Sequence, residues 1–155
     1  NFFFNKVLAK EIEFDASNIE INDSQNLTIA NNGAAKIKDD GIILEGVKIK
    51  YFKDQSLIVV EQGKVSKIDL NLEITSGIIK YNLKDAKINL TNKVNIDDKT
   101  NNLGIYSDKI EYDINNQKIY GQGNIKIIDE FDNIYELSKF EYSIKNKLNQ
   151  RIIGF

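Results

Sequence analysis

Enzymatic chemistry needs side chains that move protons, attack carbon or hold metals, and this sequence offers few of them. It has no histidine and no cysteine. That removes thiolate zinc sites, thiol nucleophiles and the usual general base at neutral pH. Serines recur at Ser17, Ser76, Ser107 and Ser138, but no histidine is there to activate them and none sits in a Gly-x-Ser-x-Gly turn. A paired-carboxylate glycosidase needs two acids facing each other across a cleft. Glu20, Glu73, Glu111 and Glu141 instead fall on the polar phase of alternating segments, where a solvated face is the natural place. Asp39-Asp40-Gly41 and Asp97-Asp98 lack the alternating oxygen ligands of a calcium loop and read as turns. Gly121-Gln122-Gly123 lacks the third glycine and following helix of a dinucleotide site. The Asn-x-Ser/Thr triplets at Asn22, Asn26 and Asn89 are weak signals in an asparagine-rich chain. The residues predict no enzyme, no metal and no cofactor.

Apolar residues do a different kind of chemistry, and here they form a long row. Its members include Ile49, Tyr51, Val59, Val65, Ile79, Tyr81, Ile88, Val94, Ile110, Tyr112, Ile125, Ile127, Phe140 and Tyr142. One reading is a filled core. The other is two sheets that face each other without closing, leaving a lengthwise trough. A trough suits acyl chains, because each buried methylene yields ~0.8 kcal/mol and needs no placed polar partner.

The elements that position this row are strands. Ile19-Glu20-Ile21, Val47-Lys48-Ile49-Lys50-Tyr51, Ile110-Glu111-Tyr112-Asp113-Ile114 and the run from Ile68 to Ile74 alternate apolar with polar. A period of two puts one row on each face of a strand. Helical spacing is nowhere sustained, and at most a turn over Asn146–Gln150 is expected to coil. Turns are written in Asn, Asp and Gly at Asn22–Asn26, Lys38–Gly41, Lys53–Gln55, Asp97–Asn102, Asn115–Gln117 and Asp129–Asn133.

These segments repeat. Phrases related to Ser107-Asp108-Lys109-Ile110-Glu111-Tyr112 close at positions 21, 51, 81, 112 and 142. Gly33, Gly63, Gly123 and Gly154 follow in step, with Lys93 in the third place. Each unit predicts two or three strands, about ten to fourteen in all, stacked around a shared core. A stack of this kind leaves unpaired backbone at its two edges, open to strand addition.

The 155 residues carry Lys+Arg 21 against Asp+Glu 23, evenly interspersed. No charge block along the sequence points to nucleic acid or to an anionic membrane. The length suits one domain, expected over residues 10–155. Residues 1–9 have two readings. Phe2-Phe3-Phe4 with Val7-Leu8-Ala9 reads as the end of a secretory signal peptide cleaved after Ala9, or as a first strand from Phe2.

Ser107-Asp108-Lys109-Ile110-Glu111-Tyr112, followed by Lys118-Ile119-Tyr120-Gly121-Gln122-Gly123-Asn124-Ile125, resembles the OstA-like domain of lipopolysaccharide transport. Gly33-Ala34-Ala35 and Gly63-Lys64-Val65 are weaker relatives of its Gly-Asn-Val step, and Val47, Gly77 and Lys93 depart from the pattern. The likeness runs from about Glu11 to Phe155. The opening Phe14-Asp15-Ala16-Ser17-Asn18-Ile19-Glu20-Ile21 resembles the start of the mature periplasmic domain of LptD, which is the first family member expected, with LptA or LptC second. The resemblance implies an all-β, repeat-built jellyroll in the periplasm, associated with the outer membrane. It also implies edge-to-edge joining to neighbouring jellyrolls and a groove that guides lipid A acyl chains. Ile49, Tyr51, Ile79, Tyr81, Ile110, Tyr112, Phe140 and Tyr142 are the groove-lining residues it implies. On the LptD reading, a membrane barrel is expected beyond Phe155. The rival expectation is a structural or adhesive β-solenoid that binds no lipid.

Overall fold

The computed structural model describes residues 9–144 and 151–154. The leader expected over residues 1–9, apart from Ala9, and the turn expected at Asn146–Gln150 lie outside the described residues. Among the described residues ten antiparallel strands follow one another in a single sheet, each paired with the next. They are β1 (Ile12–Asn22), β2 (Leu27–Ile37), β3 (Ile42–Phe52), β4 (Leu57–Lys67), β5 (Leu72–Asn82), β6 (Lys87–Asp98), β7 (Leu103–Asp113), β8 (Lys118–Ile128), β9 (Ile134–Ser143) and β10 (Arg151–Gly154). The thirty-residue unit is therefore two strands, the lower of the counts expected, and the structural repeat is one strand plus one turn.

Each of the eight turns from β1–β2 to β8–β9 closes on a residue in left-handed backbone. The closers are Asn26, Gly41, Ser56, Asn71, Ala86, Asn102, Gln117 and Asp132. In most turns that residue's N–H bonds a carbonyl three residues back, as from Gly41 to Lys38 at 3.1 Å. Asparagine and glycine tolerate this conformation, which explains the turn composition. One expectation fails here. The alternating run from Ile68 to Ile74 is broken by a 3₁₀ turn over Ile68–Leu70, with Asn71 at φ 51°. Alternation continued across a turn by Leu70 and Leu72 hid the break.

The strands do not run straight. The even strands carry left-handed residues at mid-length: Asn32, Gln62, the pair Asn92 and Lys93, and the pair Gly123 and Asn124. The paired cases are β-bulges, where β6 and β8 each carry one residue more than their neighbours. These positions line up across the sheet with Gly33, Gly46 and Gly63, and together they form a crease. Strand backbones approach closely there: a Cβ on Gly63 would lie 2.5 Å from the Glu45 carbonyl oxygen. Hydroxyls serve the kinked backbone. Ser107 donates to the Lys109 carbonyl at 3.0 Å, and Ser17 to that of Asn31 at 2.9 Å. The recurring Ser-Asp phrase and the glycine mark are thus the two sides of a fold line.

Folding along the crease brings the two halves of every strand face to face. In a flat sheet Tyr81 is level with Tyr51, nine residues along β3 from Ile42, or roughly 30 Å from the β2–β3 turn. Its hydroxyl nevertheless bonds Asp40 in that turn. The two facing layers expected from the sequence are therefore two leaves of one sheet. Leaf A runs from the crease to the turns that follow β1, β3, β5 and β7. Leaf B runs to the turns that follow β2, β4, β6 and β8. Ile58, Ile79, Ile88 and Ile110 of leaf A, with Ile37, Leu44, Ile74 and Ile105 of leaf B, are fully buried between them. Val59, expected in the apolar row, is one residue out of phase with Ile58 and Val60 and points outward.

The crease makes two opposed predictions for urea unfolding. Gly63→Ala forces a clash with backbone and is expected to cost about 1–3 kcal/mol. Lys93 sits at φ 59° where its repeat partner is Gly123 at φ 84°, so Lys93→Gly is expected to stabilise by about 1 kcal/mol. A loss on Lys93→Gly would contradict the assignment of the crease.

Candidate functional site

The two leaves meet again along their turns, forming a seam opposite the crease. Leaf A contributes a tyrosine near the end of β3, β5, β7 and β9: Tyr51, Tyr81, Tyr112 and Tyr142. Leaf B contributes the residue before the closer of the turns after β2, β4 and β6, which is Asp40, Leu70 or Asn101. The Tyr81 hydroxyl donates to Asp40, which also receives the Lys10 ammonium at 2.9 Å. The Tyr142 hydroxyl donates to Asp98 and accepts from Asn101 at 3.2 Å. Tyr112 belongs to the same series, but the equivalent turn offers Leu70. Its hydroxyl is buried without a hydrogen-bond partner among the described residues. Two polar latches therefore flank a position with none.

Burial shapes the electrostatics. It is the first cause that holds the Tyr81 and Tyr112 hydroxyls protonated well above the ordinary tyrosine range. For Tyr81 the adjoining Asp40 carboxylate adds to it, and for Tyr112 the nearby Asp69 and Asp40 do. Asp113 ends β7 and opens the β7–β8 turn. Burial opposes its ionised form, yet hydrogen bonds from Asn116 outweigh that and lower its pKa.

All eight residues implied as groove lining face the interior, and all come from leaf A. Ile49, Ile79, Tyr81, Ile110, Tyr112 and Tyr142 are fully buried, Phe140 is nearly so, and Tyr51 is half-buried. The middle of the interior is thus closed. Its ends are open. At the β1 end the inward row finishes on Ile19 and Ile21, which are 43% and 70% exposed. There Phe14 of leaf B meets Tyr51 of leaf A with ring centroids 6.3 Å apart. At the other end a mouth of about 440 Å³ lies among Leu103, Ile127, Tyr135, Leu137, Gly154 and Asp129. An interior of this kind has apolar length and no placed catalytic group. It can shelter hydrocarbon if the leaves part.

The remaining candidates take structural places. Ser76 and Ser107 hydroxyls bond crease carbonyls. Glu73 and Glu141 lie on the outer face, paired with Lys99 at 3.3 Å and Lys118 at 3.0 Å. No cluster of acidic side chains able to hold a metal occurs among the described residues. The seam partners Lys10, Asp40, Asp98 and Asn101 were not foreseen. Asp39-Asp40 and Asp97-Asp98 read as turns, and nothing local links them to tyrosines over forty residues away.

No protein-family model and no curated protein matches the chain. Among solved structures it is similar to LptH of Pseudomonas aeruginosa, described as the LptA-homologous periplasmic component of the conserved lipopolysaccharide transport device. The identity is 14% over 94% of this chain and 82% of that one, with a TM-score of 0.36. A likeness of that degree carries no functional argument. The fold and site define a β-jellyroll made from one creased sheet, latched along a seam, with an apolar interior reaching the surface at both ends.

Two predictions follow from the seam. Tyr81→Phe leaves the buried Asp40 short of a donor and is expected to cost about 1–3 kcal/mol, whereas Tyr112→Phe removes an unpaired hydroxyl and is neutral or stabilising. Equal losses in urea melts would remove the distinction between latched and unlatched positions. The second concerns alkaline pH. Both hydroxyls have folded pKa values above the unfolded value of about 10, so their contribution is full below that pH and falls as pH rises past it. Between about pH 9 and pH 11 the urea midpoint should therefore drop less for Tyr112→Phe than for the parent chain.

Proposed function

We propose that this chain is a section of a periplasmic lipopolysaccharide conduit whose interior carries lipid A acyl chains. The observation that carries the reading is the apolar interior running between the leaves from Ile19 and Ile21 to Tyr135 and Leu137 and meeting the surface at both ends. The crease that shapes it is built from the Ser107-Asp108 and Gly123-Asn124 phrases, the same residues that resemble the OstA-like family. Acyl chains need length and dryness rather than hydrogen-bond partners, and each methylene moved from water contributes ~0.8 kcal/mol. The half-paired strands β1 and β10 stand at the edges of the described sheet and suit strand addition by neighbouring jellyrolls. The N-terminal domain of LptD and an LptA- or LptC-type bridge component both fit this arrangement.

A second reading, a structural β-stalk that binds no lipid, draws on the closed packing at mid-length. Photo-crosslinking separates the two. Benzoylphenylalanine at Ile21, Tyr112 or Tyr135 is expected to give lipopolysaccharide adducts in cells, while outward controls at Lys80 and Glu111 stay free of them. Adducts at the controls alone would sink the conduit, and adducts nowhere would favour the stalk.

A further inference from the structure

The outer surface of the sheet differs from place to place. On leaf B its charges pair with one another: Glu13 with Lys38 at 2.8 Å, Glu45 with Lys64 at 3.2 Å and Glu73 with Lys99 at 3.3 Å. On leaf A from β6 to β9 the outward residues are mostly polar, running through Asn89, Thr91, Lys109, Glu111, Gln122 and Glu141. Leaf A from β2 to β5 breaks this habit. Leu27, Phe52 and Leu57 form one cross-strand row there, Ile29 and Val59 stand in the next with Lys50 and Lys80, and Ile78 follows with Lys48 and Glu61. All six of these apolar side chains are partly exposed.

The sequence carries the same break. Leu27-Thr28-Ile29-Ala30 and Leu57-Ile58-Val59-Val60 lose the period of two and offer apolar groups on both faces. A strand of that composition is ordinarily covered on both sides. The interior covers Ala30, Ile58 and Val60. No other described element lies over the opposite face, since every strand belongs to the one sheet. Lys48, Lys50 and Lys80 make no ion pair among the described residues; Glu61, beside the crease, is the one acid on the outward face of these strands, with Asp23, Asp54 and Asp85 in the turns at its rim.

We propose that this outer quadrant of β2–β5 docks on the surface of an anionic lipid bilayer. Its shape and charge fit that partner. The face is a stretch of sheet with apolar side chains between lysines, whose stems lie along apolar surface while their ammonium groups reach anionic headgroups. A second copy of the chain, packed face to face, would set these lysines against themselves. Docking by this face leaves the interior and both its mouths free, so the inference does not depend on the conduit reading.

Flotation of the full chain with phosphatidylcholine vesicles, with and without phosphatidylglycerol, tests it at low salt. Binding is expected only with phosphatidylglycerol and is expected to weaken on adding salt. Each lysine near such a surface contributes about five-fold, so Lys50→Gln with Lys80→Gln should weaken binding about 25-fold. Lys36→Gln with Lys126→Gln, on the outer face of leaf B, should change it little. A matching urea midpoint for the first pair shows that the fold is intact. Equal binding to both vesicles, binding to neither, or binding unmoved by the Lys50 and Lys80 changes overturns the proposal. Self-association strengthened by those changes also overturns it, in favour of a second copy. These vesicles hold no lipopolysaccharide, so failure here is distinct from failure of the conduit.

Discussion

An apolar face on a β-sheet must be covered, and this sheet has nothing to cover it except itself. Among the described residues the only helical pieces are 3₁₀ turns between strands. A meander of ten strands can meet the constraint by doubling over at mid-strand. That requires a hinge in every strand at the same height, which the left-handed residues on the even strands and the small residues on the odd strands provide. Strand length then matches: with eleven residues on most strands, each half spans about 17 Å, enough for two or three inward side chains per leaf. The regular spacing of turns, the interior and the seam all follow from the doubling.

The seam is where the doubling is least secure. Away from it the leaves adhere through hydrocarbon alone, which is strong in sum but indifferent to register. The bonds from Tyr81 to Asp40 and from Tyr142 to Asp98 fix which turn meets which strand, since a buried carboxylate tolerates few alternatives. Between them the equivalent turn offers Leu70, and Tyr112 gains only burial. A seam built this way is firm at two points and weaker between them, which is the arrangement the proposed conduit requires of leaves that part for a long apolar guest.

Much of this was legible in the sequence, and the reasons differ by feature. Strands and most turns followed from alternation and from Asn, Asp and Gly, because those signals are local. The recurring phrase around Ser107 and the glycine mark were visible as a repeat, but their job as a fold line was not, since a crease exists only once strands are paired. The turn at Ile68–Leu70 was lost because its apolar residues continued the period of two. Val59 was assigned inward because a run apolar on both faces has no phase to read. The seam was out of reach: Asp40 and Tyr81 lie 41 residues apart, and only folding brings them together. The family resemblance pointed to the interior residues, while their burial became visible only with both leaves in place.

The central claim is that one sheet is creased into two leaves joined at a seam that acyl chains can part. Spin labels on opposite lips, at Asp39 in the β2–β3 turn and Lys84 in the β5–β6 turn, measure it directly by electron–electron dipolar spectroscopy. The free protein should give a short distance, set by the ~10 Å spacing of facing sheets plus the label tethers, and saturating lipopolysaccharide should lengthen it. A free-state distance near the ~35 Å of an extended eleven-residue strand would contradict the crease, and a short distance unmoved by lipopolysaccharide would contradict the parting seam.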